Sequence, residues 1–92
     1  MIRCERSAYK HWYTQAQIDY IFTHAIKVIE IRSRNKGARP MAFLGYPDEY
    51  EEKRSEIFVS QRSMSVVHAM QCVREEWQEH FERYEQAKGM KR

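Results

Sequence analysis

A chain of 92 residues has room for one domain, residues 1–92, with one modest core and little chain left over for a deep catalytic cleft. Its 42% hydrophobic and 32% charged residues exclude a disordered tail, and two tryptophans, six tyrosines and four phenylalanines offer large buried areas. The net charge of +3 is uneven: residues 1–46 balance to +5 and residues 47–92 to −2, a polarity that suits an acidic partner at one side.

No apolar run approaches the roughly 20 residues that span a bilayer, and the first residues lack the apolar stretch of a signal peptide. The expectation is a soluble, cytoplasmic chain with no membrane partner. Cys4 and Cys72 are too few and too far apart for a disulfide scaffold and read as free thiols.

Thr14 reads as a helix N-cap. Gln17 completes a capping box, and Tyr13 and Ile18 stand where a hydrophobic staple places them. Ile18, Ile21, Phe22, Ala25, Ile26, Val28 and Ile29 then make a broad apolar face, which predicts a helix over residues 14–33 that stops before Asn35 and Gly37. The β-branched run Val28-Ile29-Glu30-Ile31 would also suit a strand, but the helical period continues through it.

The middle is less regular. Asp48 and Glu51 suit a short helix after Pro47, and Ile57-Phe58-Val59 suits a buried extended segment. From Ser63 onward, Val66, Met70, Val73, Trp77, Phe81 and Tyr84 recur at three or four residues and predict a helix over residues 63–88 closed by Gly89. The opposite face of that helix would carry His68, Cys72, Glu75, Glu79, Glu82 and Gln86. The expected fold is therefore mainly α: two long antiparallel helices, residues 14–33 and 63–88, around an irregular middle. Trp77, Phe81, Met70 and Val73 would pack on Ile18, Phe22, Ala25 and Ile29. The alternative is α+β, with a short hairpin at residues 41–45 and 56–60.

Two segments carry candidate binding chemistry. Tyr9, Lys10, His11 and Trp12 interleave aromatic and cationic side chains, as surfaces that stack bases and hold phosphates do. Arg32, Arg34, Lys36 and Arg39 surround Gly37, a flexible cationic loop suited to phosphates although no phosphate-loop motif is present. His68 and Cys72, four apart on a helix, would share a face, but a structural zinc site needs two more ligands at short spacing, so no metal and no cofactor is expected. No nucleophile elbow, paired-carboxylate motif or glycine-rich nucleotide fingerprint marks an enzyme.

Together these features point first to a small non-enzymatic interaction protein that docks on a larger macromolecular assembly. An inhibitor or adaptor of a nucleic-acid-processing complex, of the kind mobile elements encode, fits the size and split charge. Its partner would be a protein complex, with a homodimer also open. One alternative is direct DNA or RNA binding through the N-terminal basic and aromatic surface. A second is a small ribonuclease-type toxin, whose scattered Arg, Lys, His and Tyr residues would leave no motif.

Overall fold

Thr14 caps the first helix as its side chain dictates. Its Oγ1 accepts the Gln17 N–H at 3.1 Å, and the Gln17 Oε1 accepts the Thr14 N–H at 2.9 Å. The computed structural model describes residues 1–32 and 39–89, and in it this helix, α1, spans only Gln15–Thr23. Strand β1, Lys27–Glu30, takes over the segment where the sequence predicted further helix. Val28 and Ile29 lose rotamer freedom in a helix and fit a pleated surface, and here a partner strand is at hand.

That partner is β2, Pro40–Gly45, followed by β3, Ser55–Ser60, and β4, Ser65–Gln71. The four strands form an antiparallel sheet in the order β1-β2-β3-β4, so the fold is α+β and not mainly helical. Ala42 stands opposite Ile29 on one side and Phe58 on the other, and Phe58 stands opposite His68. The register slips between Phe58 and Val59, where Val67 is the extra residue of a bulge.

The predicted helix over residues 63–88 is corrected in the same way. Its first part is β4, and only Glu75–Ala87 is helical, as α2. The three-to-four spacing of Val66, Met70 and Val73 is accidental: the adjacent β-branched pair Val66-Val67 serves a strand better. After Pro47 there is a turn, not a helix, with the Tyr50 N–H donating to Asp48 Oδ1 at 3.0 Å.

The two helices do not pack on each other as expected; the sheet separates them. Along β3 side chains alternate, sending Ile57 and Val59 to one face and Glu56 and Phe58 to the other. On the first face Ile57, Val59, Val66 and Ala69 form a core with Ile18 and Ile21 of α1 and with Ala8 and Tyr13. On the second face Leu44, Tyr46, Cys72 and Phe81 form another, joined by Ile29, Trp77 and Tyr84. Val73, assigned to the core by periodicity, is 67% exposed.

Two further contacts position the functional surface. The N-terminal segment runs beside β4, with the Val66 N–H donating to the Arg3 carbonyl and the Glu5 N–H to the Val66 carbonyl, both at 2.8 Å. It then enters a short 3-10 turn, Arg6–Tyr9. The C-terminal half of α2 is clamped by Glu85, which is 3% exposed and accepts from Tyr46 Oη at 2.6 Å and from Arg54 Nη2 at 2.5 Å. Tyr84 Oη also donates to Glu51. With that end fixed, the N-terminal end of α2 lies over Phe58.

Candidate nucleic-acid interface

The alternation that buries Ile57 and Val59 under α1 places Glu56 and Phe58 on the α2 face, opposite Met70 and His68 of β4. Glu56 is 1% exposed, and its carboxylate meets His68 Nε2 at 2.9 Å and Arg74 Nε at 3.9 Å. A carboxylate only accepts, so Nε2 carries the hydrogen, and Nδ1 is the nitrogen that holds the lone pair in the neutral form of the ring. A buried carboxylate without such partners would be strongly disfavoured, which makes His68 and Arg74 the condition for Glu56 being there.

Aromatic rings surround this pair. The His68 ring lies against Phe58 with centroids 4.2 Å apart, and Trp77 meets Phe58 edge-on at 6.0 Å. Arg74, the N-cap residue of α2, sets its guanidinium 4.9 Å from the Trp77 centroid and 5.6 Å from that of Phe58. Stacked in this way, the cation is oriented while 48% of its side chain remains exposed.

The N-terminal segment completes the surface. Ser7 Oγ donates to the Val67 carbonyl at 2.6 Å, and Tyr13 Oη pairs with Ser55 Oγ at 2.7 Å. Between these anchors the exposed His11 ring stands edge-on to His68, with centroids 6.1 Å apart. Trp12 follows at φ +63°, a left-handed conformation disfavoured for a bulky residue, with its side chain turned outward and 90% exposed. A large apolar ring held in water on a strained backbone is a feature that folding alone does not explain.

Cys72 lies at the edge of this site but is not a nucleophile. Burial, reinforced by the nearby Glu56 carboxylate, pushes its thiol up to about 12, so the thiolate is suppressed at neutral pH. Both cysteines are free thiols, as expected. The idea that His68 and Cys72 share a helical face is corrected: His68 lies on β4, and four residues along an extended chain span roughly 13 Å.

Of the residues singled out in the sequence, Tyr9, Lys10, His11 and Trp12 lie together in the segment leading from the 3-10 turn towards α1. Tyr9 is braced there, donating from Oη to Gln15 Oε1 at 2.7 Å. Arg32 and Arg39 are exposed at the opposite end of the strands, beside the Pro40–Ser60 pair, on the far side from Ser55, where Tyr13 is anchored. Arg34 and Lys36 lie outside the described residues. Arg32 follows β1 and Arg39 precedes β2, whereas His11 meets His68 on β4, so these two arginines do not share a surface with the aromatic run.

The sequence reading missed Glu56, Phe58 and Arg74 as site residues and assigned His68 and Trp77 other roles. The available signal was the alternation of residues 55–60, which puts Glu56 and Phe58 on one face once the segment is read as a strand. Among the described residues no helix is long and apolar enough to cross a membrane. Comparisons with protein-family models, curated proteins and solved structures find no match for the chain.

Proposed function

We propose that this protein binds single-stranded nucleic acid at the surface made by His11, Trp12, His68, Arg74 and Trp77. The observation that carries this reading is Trp12, exposed and held in a left-handed backbone directly after His11, whose ring meets His68. An indole with neighbouring cations is what base stacking and phosphate pairing require. Arg3, Arg6 and Lys10 on the same segment add positive charge. Direct contact with nucleic acid thus stands ahead of docking on a larger assembly.

Titration of the chain with a mixed-sequence oligonucleotide, followed by tryptophan fluorescence, tests this. Affinity is expected to fall steeply with salt, and Trp12→Ala to weaken binding by roughly 1–3 kcal/mol. Arg74→Ala lowers the salt slope by about one. Arg32→Ala with Arg39→Ala leaves affinity nearly unchanged, because these residues lie elsewhere. Absence of salt-sensitive binding removes this reading.

A different surface favours the docking reading. Met1, Ile2, Asp19, Phe22, Thr23 and Met64 line an open apolar cleft of about 410 Å³, with Met1 98% and Met64 68% exposed. Exposed methionines around an aromatic suit a protein partner. Capture of a partner that survives nuclease treatment and is lost in Met64→Asp is the result that reading requires.

A further inference from the structure

We infer that the same surface cleaves RNA, with His68 as general base, His11 as general acid and Arg74 holding the phosphate. The inference rests on the nucleic-acid reading above and adds a reaction to it. The geometry supplies each part. Glu56 fixes the His68 ring through Nε2 at 2.9 Å, which leaves Nδ1 as the proton acceptor. His11 stands 6.1 Å away, centroid to centroid, and approaches edge-on. In this assignment the two rings bond different oxygens of one phosphodiester, each through a hydrogen bond of about 2.9 Å. Arg74 lies beside them with its fork of donors partly exposed, and it is already paired with Glu56 at 3.9 Å. Phe58 and Trp77 keep the Arg74 plane and the His68 ring from turning away.

The chemistry needs nothing beyond the substrate. His68 Nδ1 takes the proton of a ribose 2′-hydroxyl, and the 2′-oxygen attacks phosphorus to form a new P–O bond. The bond from phosphorus to the 5′-oxygen breaks as His11 delivers a proton to that oxygen. One RNA strand becomes a 2′,3′-cyclic phosphate end and a 5′-hydroxyl end. Exchange with water returns His68 and His11 to their starting protonation states. Arg74 faces the charge that builds on the non-bridging oxygens. Glu56 touches no substrate; it is a positioning residue. DNA lacks the 2′-hydroxyl, so it binds but is not cut.

The test is a fluorophore–quencher RNA oligonucleotide incubated with the full chain in chelator, beside its 2′-deoxy analogue. Cleavage of the RNA alone, leaving a 2′,3′-cyclic phosphate, is expected. In His68→Asn and His11→Ala, kcat should fall by about 10²–10⁴-fold while KM changes little. Glu56→Gln should lower kcat with KM retained and shift the pH–rate profile, a shift that a smaller folded fraction would not produce. His11 is exposed, so His11→Ala keeps the test meaningful even if a Glu56 variant fails to fold. Binding of RNA without any cleavage overturns this inference and leaves the nucleic-acid reading standing. Neither binding nor cleavage overturns both. Turnover that persists in His11→Ala and His68→Asn overturns the assignment of the two histidines.

Discussion

At Trp12 the backbone stands at φ +63° while the indole is 90% exposed, so neither backbone preference nor burial rewards tryptophan there. Glycine would relieve roughly 1–2 kcal/mol of left-handed strain and lose about 0.5–1 kcal/mol through greater unfolded-state freedom. Trp12→Gly is thus expected to unfold at an equal or slightly higher urea concentration while losing nucleic-acid affinity. A stability loss beyond 1 kcal/mol would mean that Trp12 serves the fold. Glu85 is the opposite case. It is 3% exposed and bonded to both Tyr46 and Arg54, so Glu85→Ala leaves Arg54 without its main partner and should cost about 3 kcal/mol in urea unfolding. Cys72 gives a pH signature. Its thiol stays protonated in the fold up to about 12, against an ordinary value of 9.0, so unfolding releases a proton between those limits. Its contribution to stability is complete below pH 9.0 and falls as pH rises towards about 12. Cys72→Ala should therefore lose less stability over that interval than the parent chain. Tyr84, raised to about 12 chiefly by its hydrogen bond to Glu51, is present in both and does not blur the comparison.

At the level of elements, legibility depended on whether the signal was local. The start of α1 was readable because a capping box is a contact between residues three apart, and Thr14→Ala should cost about 1 kcal/mol, a drop of roughly 4–8 °C in melting temperature. The end of α1 and the start of α2 were not readable, because β1 and β4 exist only through pairing with distant segments. Lys27 meets Leu44, and Ser55 meets Gln71, partnerships that no window along the chain contains. Apolar spacing in β4 mimicked a helix, whereas Ile57-Phe58-Val59 already read as extended. The pairing held as the alternative, Met41–Leu44 against Glu56–Ser60, corresponds to β2 and β3. Within α2, Glu75 and Glu76 sit in the first turn directly after Arg74. They favour the helix dipole but oppose a bound phosphate. Replacing both with Gln should lower stability by roughly 0.3–1 kcal/mol and tighten RNA binding, two effects of opposite sign that calorimetry and a binding titration separate.

Across the whole molecule the site is a product of topology. Three stretches of sequence, carrying His11, Glu56, and His68 with Arg74, meet because β3 and β4 are adjacent and the N-terminal segment runs beside β4. Half of the surface was visible beforehand, since His11 and Trp12 stand out as an aromatic and cationic run. The other half was hidden, because Glu56 and Phe58 share the α2 face only once residues 55–60 pair as a strand. Arg32 and Arg39 show the converse: conspicuous cations that the sheet carries to the β1 and β2 side, away from β4 and its His68. One measurement separates these surfaces directly, a titration of the isotope-labelled chain with a 2′-deoxy oligonucleotide followed by nuclear magnetic resonance. The expected result is that shifts concentrate at His11, Trp12, His68, Arg74 and Trp77. Shifts centred instead on Arg32 and Arg39, or on Met1, Phe22 and Met64, would contradict the site proposed here.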